Sequence, residues 1–500
     1  MTAVRKIVIL GGGTAGWMAA ACIARMFGTK DHTIALIESP EIGTVGVGEA
    51  TIPMINMFNK ILGISAADMV RETEATFKLG IEFVDWGKVG DAYLHPFGAY
   101  GADMGGVSFI HWFLRHSAQT GTWDPGRFNL ETVAARTGRF GVLPNNDPSR
   151  PPLNHAYHFD AALYAGFLSR YSQARGVIRH EGTVTEVHQD PDSGFVTALD
   201  LKDGQRIEGD FFIDCSGFRG VLIEQTLKCG YEDWSQWLPC NRAWAVPCKR
   251  IEAPVPYTRA TAREAGWQWR IPLQHRTGNG YVFSSDFIGE ADARDALMSR
   301  LDGKALAEPR KLSFVTGHRR KMWDKNVVAL GLASGFLEPL ESTSIHLVQS
   351  ALSKLMSYFP KDGFDPDVED HFNRVMLGEY TAVRDFLIAH YKLTEREDTP
   401  FWAYCKHMEI PDSLRARLDI FHHTGNYVEP PYELFRENSW FSVLAGQGLR
   451  PRSWHPVADM MTGEELAHHM TQISNLVATT AAALPAHEAF IQYCHGRRAS

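Results

Sequence analysis

The chain has little from which to build a covalent or metal framework. Its seven cysteines, at positions 22, 215, 229, 240, 248, 405 and 494, are scattered, odd in number and form no CxxC pair. Neither a disulfide scaffold nor a zinc site is expected, and the thiols read as reduced, in a cytoplasmic protein. His111, His275 and His346 lack the carboxylate-histidine spacing of a metal centre, so no metal is expected. Positive charge is not in excess either, since 50 Lys and Arg stand against 58 Asp and Glu, a formal balance of -8. With no long basic run, neither nucleic acid nor an anionic membrane is an expected partner. Uninterrupted apolar runs of membrane-spanning length are missing. The one leader-like stretch, after Arg5 and Lys6, is broken by Gly11, Gly12, Gly13 and Gly16. Internal repeats and long disordered linkers are absent as well. What remains is 500 residues, 44% of them hydrophobic, enough for one large domain with insertions or for two to three closely joined ones.

The N-terminal region carries the clearest pattern. Residues 6–10 read as a buried parallel strand, followed by Gly11, Gly12, Gly13, Thr14, Ala15 and Gly16 and then an alanine-rich helix to about Phe27. A GxGxxG motif therefore falls on Gly11, Gly13 and Gly16, between strand and helix. A second strand over 33–37 ends in Glu38, 22 positions beyond Gly16. Glycines let the backbone approach a pyrophosphate, the helix N-terminus supplies N–H donors, and the acid accepts from a ribose hydroxyl. This predicts an α/β fold that binds a dinucleotide.

Residues 43–53 are too glycine-rich for a stable helix or strand and read as a loop near the cofactor. Helical segments should follow, and Glu74 and Lys78, four residues apart, would on their own be a surface ion pair on one of them. A stretch dense in aromatics and histidine runs over 91–123 and includes His95 and Phe97; such residues more often fill cores. Residues 143–152 read as a surface connection, with a helix near 159–171. Alternation over 177–213, with turns at 192–194 and 203–204, predicts an antiparallel meander leading into a strand that rejoins the nucleotide-binding sheet. Strands are expected over 234–287, where Trp267 and Trp269 share one face and Pro272 marks an edge. Residues 350–500 read mainly as helices, interrupted near 428–433 and 446–456.

The most informative stretch is 326–350. A short apolar strand passes through Gly331 and Gly335 into Glu338, Pro339, Leu340, Glu341, Ser342, Thr343 and Ser344 before an apolar run resumes. A strand that breaks at glycines and enters a helix leaves backbone N–H groups free to hold an anion. Ser and Thr before an apolar run also serve as ordinary helix caps. Spacing alone does not separate these two readings.

Taken together, these strings resemble the flavin-dependent halogenases, specifically the tryptophan-halogenase-like branch. The nucleotide motif, the 46–51 segment GVGEAT, the 77–80 segment FKLG, the 339–343 segment PLEST and the WxWxIP signature at Trp267, Trp269, Ile271 and Pro272 all match, and together they cover most of the chain. The resemblance implies a flavin monooxygenase-like FAD-binding fold with an antiparallel β substrate region and a mostly helical C-terminal part. Its divisions would be a module over 1–350, with insertions at about 81–160 and 230–310, and a helical covering region over 351–500. FAD, used as FADH2 from a separate flavin reductase, would be held by Gly11, Gly13, Thr14, Ala15, Gly16, Glu38, Gly48, Glu49, Ala50, Gly331 and Leu337. Halide, chloride or bromide, would sit at Thr343 and Ser344 and become hypohalous acid. The acid would cross a tunnel walled by Trp267, Trp269, Ile271, Pro272 and Ser342 to reach Lys78, which would hold it by hydrogen bonding or as a haloamine. Glu341 is the expected companion of that lysine and the candidate to take up the ring proton.

For the substrate, the resemblance points to an indole-type aromatic lined by His95 and Phe97. Tryptophan halogenases have a tyrosine pair and an acid where this chain carries Trp440, Phe441 and Gln447. Those changes remove hydroxyl donors and a counter-charge for a zwitterion, so free tryptophan should bind poorly. Ser344 replaces the family's glycine, and bromide is expected to work at least as well as chloride. A homodimer is in keeping with the family. Two rival readings are a flavin-dependent aromatic hydroxylase and a flavin-binding accessory protein without turnover.

Overall fold

The computed structural model describes residues 4–41, 48–143, 152–361 and 363–496. Residues 43–47 of the expected glycine-rich loop and 144–151 of the expected connection lie outside them. The architecture is α/β. Its N-terminal sheet has six strands in the order Trp323–Asp324, Val327–Ala329, Phe211–Asp214, Lys6–Leu10, Thr33–Glu38, Ile178–Glu181. All neighbours are parallel except the Trp323–Asp324 edge. Parallel strands covered on both faces need near-continuous apolar runs, and Ile7, Ile9, Ile34, Leu36, Phe211 and Ile213 are completely buried. Leu10 pairs with both Ile37 and Asp214, so three strands end at one level and the glycine turn sits above them. Helix Thr14–Phe27 packs on helices Ala161–Gln173 and Ser344–Ser357, and it is buried all round from Gly16 to Ala24.

A second sheet has seven strands, in the order Arg310–Ser313, Arg242–Cys248, Thr277–Phe283, Gly266–Pro272, Thr258–Arg263, Gly80–Val84, Ala92–Pro96. A small sheet of Gly48–Ala50, Ala156–Asp160 and Thr76–Lys78 joins the two regions, with His158 opposite both Ala50 and Thr76. Beyond residue 343 the described chain is helical, and its longest helix is Pro366–Lys392. Among the described residues no helix is long and apolar enough to cross a membrane.

Two local expectations are corrected. Lys78 is not on a helix. The capped helix Ala66–Thr73 stops because Glu74 takes a left-handed conformation (φ 54°), and the chain restarts as strand Thr76–Lys78. The meander over 177–213 is antiparallel only in its later strands, because Ile178–Glu181 pairs in parallel with Thr33–Glu38. Its outer position gives it an exposed face whose alternation imitates a hairpin strand.

Candidate active site

A cavity of about 870 Å³ opens above the ends of the parallel strands. Gly11 lies at φ +121°, and a Cβ there would meet the Cys215 carbonyl oxygen at 2.2 Å. Gly13 caps helix Thr14–Phe27 without a side-chain bond and has nothing within 4 Å of an added Cβ. The N–H groups of the helix's first turn, around Thr14 and Ala15 on the cavity wall, therefore face it without competition. Gly16 is needed because a Cβ would fall 1.8 Å from the Gly11 carbonyl oxygen. Glu38 lies on the cavity wall, where its carboxylate accepts from Trp17 Nε1 at 3.2 Å and pairs with Arg179. Gly48, Glu49 and Ala50 close one side, and burial pushes the Glu49 carboxyl up to about 7. Gly331 (φ +62°) and Leu337 close another, the glycine keeping a Cβ from within 2.9 Å of Ala15 Cβ. A donor-rich helix start, a carboxylate at the second strand end and cramped glycines fit the diphosphate, ribose and ring of FAD.

Trp267, Trp269 and Ile271 form the facing wall, since alternate residues of strand Gly266–Pro272 share one face. Pro272 stands at the strand end, and its carbonyl accepts from Thr76 Oγ1 at 2.7 Å. Behind the wall, Glu338 accepts from Trp267 Nε1 at 2.9 Å and Tyr391 Oη at 2.5 Å. Burial pushes this carboxyl up to about 7 despite those bonds.

The 338–344 turn links the cavity to the interior. Ser342 is left-handed (φ 59°, ψ 35°) and Thr343 right-handed (φ -88°, ψ -13°). Such a pair turns successive N–H groups to one side; the Ser342 N–H is spent on the Pro339 carbonyl at 3.1 Å, which leaves those of Thr343 and Ser344, at the start of helix Ser344–Ser357, as a cradle for an anion. Thr343 Oγ1 is buried without a hydrogen-bond partner, while Ser342 and Ser344 border the cavity.

Lys78 lies on the far side of Ser342. It is completely buried, and its ammonium donates to Ser342 Oγ at 2.8 Å and the Thr51 carbonyl at 3.0 Å, above the Phe97 ring at 5.1 Å. Burial pushes its pKa down to about 7, with Glu341 pulling it back up. The expected pairing of Lys78 with Glu341 is not a hydrogen bond. Glu341 points instead toward strand Ala92–Pro96 and helix Pro366–Lys392, where His95 Nδ1 lies 3.0 and 2.9 Å from its two oxygens and His390 Nε2 lies 2.8 Å from Oε1. Burial works to raise this carboxyl, but the charge at His95 and the bonds from His390 and His95 hold it well below the usual range.

Aromatic rings gather beside this carboxylate. Phe386 and Phe435 stack at 4.0 Å, Trp440 meets Phe386 edge-on at 4.9 Å, and His95 lies 5.6 Å from Phe386. Phe441 turns the other way, toward Tyr100 and Phe113. Gln447 Nε2 donates to the His390 carbonyl at 2.8 Å. Sequence reasoning missed His390, Tyr391, Phe386 and Phe435. The one signal for the first two is an adjacent His-Tyr pair ending the otherwise apolar run FLIAHY.

Comparison with known proteins agrees with this arrangement. Residues 6–463 match the tryptophan halogenase family. Tryptophan 6-halogenase SttH of Streptomyces toxytricini is 35% identical over 490 residues, covering 92% of this chain and 93% of the relative. Among solved structures, the flavin-dependent halogenase Xcc4156 from Xanthomonas campestris superposes with a TM-score of 0.96 at 48% identity, covering 100% of both chains. The flavin-dependent halogenase BrvH from Brevundimonas sp. BAL3 gives 0.94 at 41% identity, covering 98% of this chain and 99% of that one. The chain belongs to the tryptophan halogenase family and is a flavin-dependent halogenase.

Proposed function

We propose that the chain takes FADH2 from a separate flavin reductase, makes hypohalous acid from halide and O2, and halogenates an indole-type aromatic in preference to free tryptophan. The observation that carries this reading is the Ser342 hydroxyl, which borders the cofactor cavity on one side and accepts from buried Lys78 on the other. Bound FADH2 supplies the reducing equivalents with which O2 oxidises the halide. The Thr343 and Ser344 N–H groups at the start of helix Ser344–Ser357 hold that halide. Trp267 and Trp269 wall the aromatic substrate off from the flavin and restrict loss of the oxidant to water. Lys78 holds the hypohalous acid by its oxygen, beside Phe97. Lys78 protonates the departing hydroxide to water, and Glu341 takes up the ring proton.

The substrate class follows from the side chains gathered beside Glu341. SttH is by name a tryptophan halogenase. Here Trp440 meets Phe386 edge-on, Gln447 donates from Nε2 to the His390 carbonyl, and the atoms left without partners, Trp440 Nε1 and Gln447 Oε1, are uncharged, so neither residue offers a counter-charge to an amino acid. Desolvating a zwitterion without partners costs about 2 kcal/mol or more per group. Indole, a substituted indole or a larger indole-bearing molecule avoids that cost. Turnover of indole well above that of tryptophan is expected; comparable rates refute the substrate assignment. Ser344 places a side chain where the halide cradle opens, and in a competition with both halides bromide should be used at least as readily as chloride. Strong chloride preference overturns that part.

A further inference from the structure

His390 lies in the last turn of helix Pro366–Lys392 and is completely buried among Phe83, Phe386 and Trp86. Its two ring nitrogens meet two acceptors. Nδ1 lies 2.8 Å from the Phe386 carbonyl oxygen, which can only accept, so this nitrogen carries a hydrogen. Nε2 lies 2.8 Å from Glu341 Oε1. A neutral imidazole protonated at Nδ1 would point its Nε2 lone pair at a carboxylate lone pair, which is repulsive in a dry interior. The contact is stable only if a proton lies on the His390-Glu341 axis, as imidazolium with carboxylate or as imidazole with carboxylic acid.

We infer that His390 is a positioning residue that holds this proton against Glu341 and so keeps the carboxylate ionised, free to take the ring proton that ends the substitution. The inference rests on the halogenase reading above, with Glu341 as the base. The groups facing Glu341 are Lys78 from strand Thr76–Lys78, His95 and Tyr93 from strand Ala92–Pro96, and His390. His95 Nδ1 donates to both carboxylate oxygens and fixes the plane of the group. With the axis proton on His390, Oε2 keeps a free lone pair for the substrate. As the carbon-halogen bond forms, the oxygen-halogen bond of the hypohalous acid breaks, and the hydroxide takes a proton from Lys78 to leave as water. The ring C–H bond then breaks, its electron pair restores aromaticity, and the proton goes to Glu341. Release of that proton from Glu341 to solvent with the product, and uptake of one by Lys78, reset both groups. The axis proton remains with His390 throughout, which stops Glu341 from resting as the acid.

The test uses wild type, His390→Gln and His390→Asn. Glutamine can keep a donor to Glu341, and asparagine a donor to the Phe386 carbonyl, but neither can hold the axis proton. FAD binding and melting temperature establish that each variant is folded. Competition between indole and ring-deuterated indole, read by product mass, should give an isotope effect near unity in wild type, where ring addition limits the rate. In either variant kcat should fall by about tenfold or more, a normal primary isotope effect should appear, and the acidic limb of the pH profile should move to higher pH. Rate loss with the isotope effect still near unity and the acidic limb unmoved overturns the inference, leaving His390 a packing residue. If wild type forms no halogenated indole, it is the halogenase reading on indole that fails.

Discussion

Replacing Lys78 by methionine keeps most of the side chain's volume and deletes its amine, so the variant isolates the cost of burying that group. Burial takes the amine from its ordinary 10.5 to about 7. At about 1.4 kcal/mol per pH unit, this amounts to about 5 kcal/mol against the charged form inside the fold. Between those two values the unfolded chain holds the proton and the folded chain does not, so stability rises with pH across the window. At about pH 6 the full cost is present, and at about pH 9 about 2 kcal/mol of it remains. Methionine escapes this cost but leaves the Thr51 carbonyl and Ser342 hydroxyl without their donor, a loss of about 1 to 3 kcal/mol. The variant should therefore equal or exceed wild type in stability at about pH 6 and lose about 3 kcal/mol of relative stability by about pH 9. Urea unfolding of both proteins at the two pH values measures the difference directly. Parallel pH dependence of the two proteins refutes a buried, depressed amine, and with it the claim that Lys78 is poised between its two protonation states near neutrality.

Other consequences follow from the same geometry. Glu338→Gln should gain relative stability as pH rises from about 4.5 to about 7, because the wild-type carboxyl is raised to that value and its ionisation becomes steadily more costly; melting curves at the two ends, by up to about 3 kcal/mol, check it. His487 Nε2 accepts from the Phe77 N–H at 3.0 Å and Nδ1 donates to the Pro254 carbonyl at 2.7 Å, so the ring is held neutral and burial pushes it down to about 4. His487→Ala should lower stability by about 1 to 3 kcal/mol at neutral pH and lose less than wild type as pH falls from 6.5 toward 4, read by melting temperature. Gly331→Ala forces a side chain into φ +62° and within 2.9 Å of Ala15 Cβ, so the apoprotein should lose about 1 kcal/mol or more of stability, read by melting temperature, and FAD affinity measured by fluorescence should fall with it.

The parts of this molecule that could be read from sequence are those in which backbone conformation and chemistry coincide locally. The glycines at 11 and 16 are forced by close approaches to Cys215 and to the turn itself, and Gly13 leaves the helix start open to the cavity, so their spacing carries the site with it. The 338–344 turn announced itself by a strand breaking before a run of hydroxyl residues, and the alternating left- and right-handed pair at Ser342 and Thr343 is the physical form of that signal. Lys78 was legible only through the family's pattern. Glu74 four residues earlier favours a helical reading, and nothing local tells that a left-handed Glu74 ends the helix and drops the lysine onto a three-residue buried strand. The histidine clamp was not legible, because His390 stands 49 residues beyond Glu341 in a helix whose pattern is satisfied by packing alone. In the fold, neighbouring His390 and Tyr391 each reach one glutamate of the Glu338-Pro339-Leu340-Glu341 turn. Such a correspondence exists only once helix and turn are brought together.

The most direct measurement is mass spectrometry of the products formed from indole with FAD, NADH, a flavin reductase and O2, with bromide or chloride supplied or withheld, in wild type and Lys78→Ala. Halogenated indole that requires halide and disappears in the variant is the predicted result. Oxygenated indole formed regardless of halide, or halogenated indole undiminished in the variant, contradicts the account.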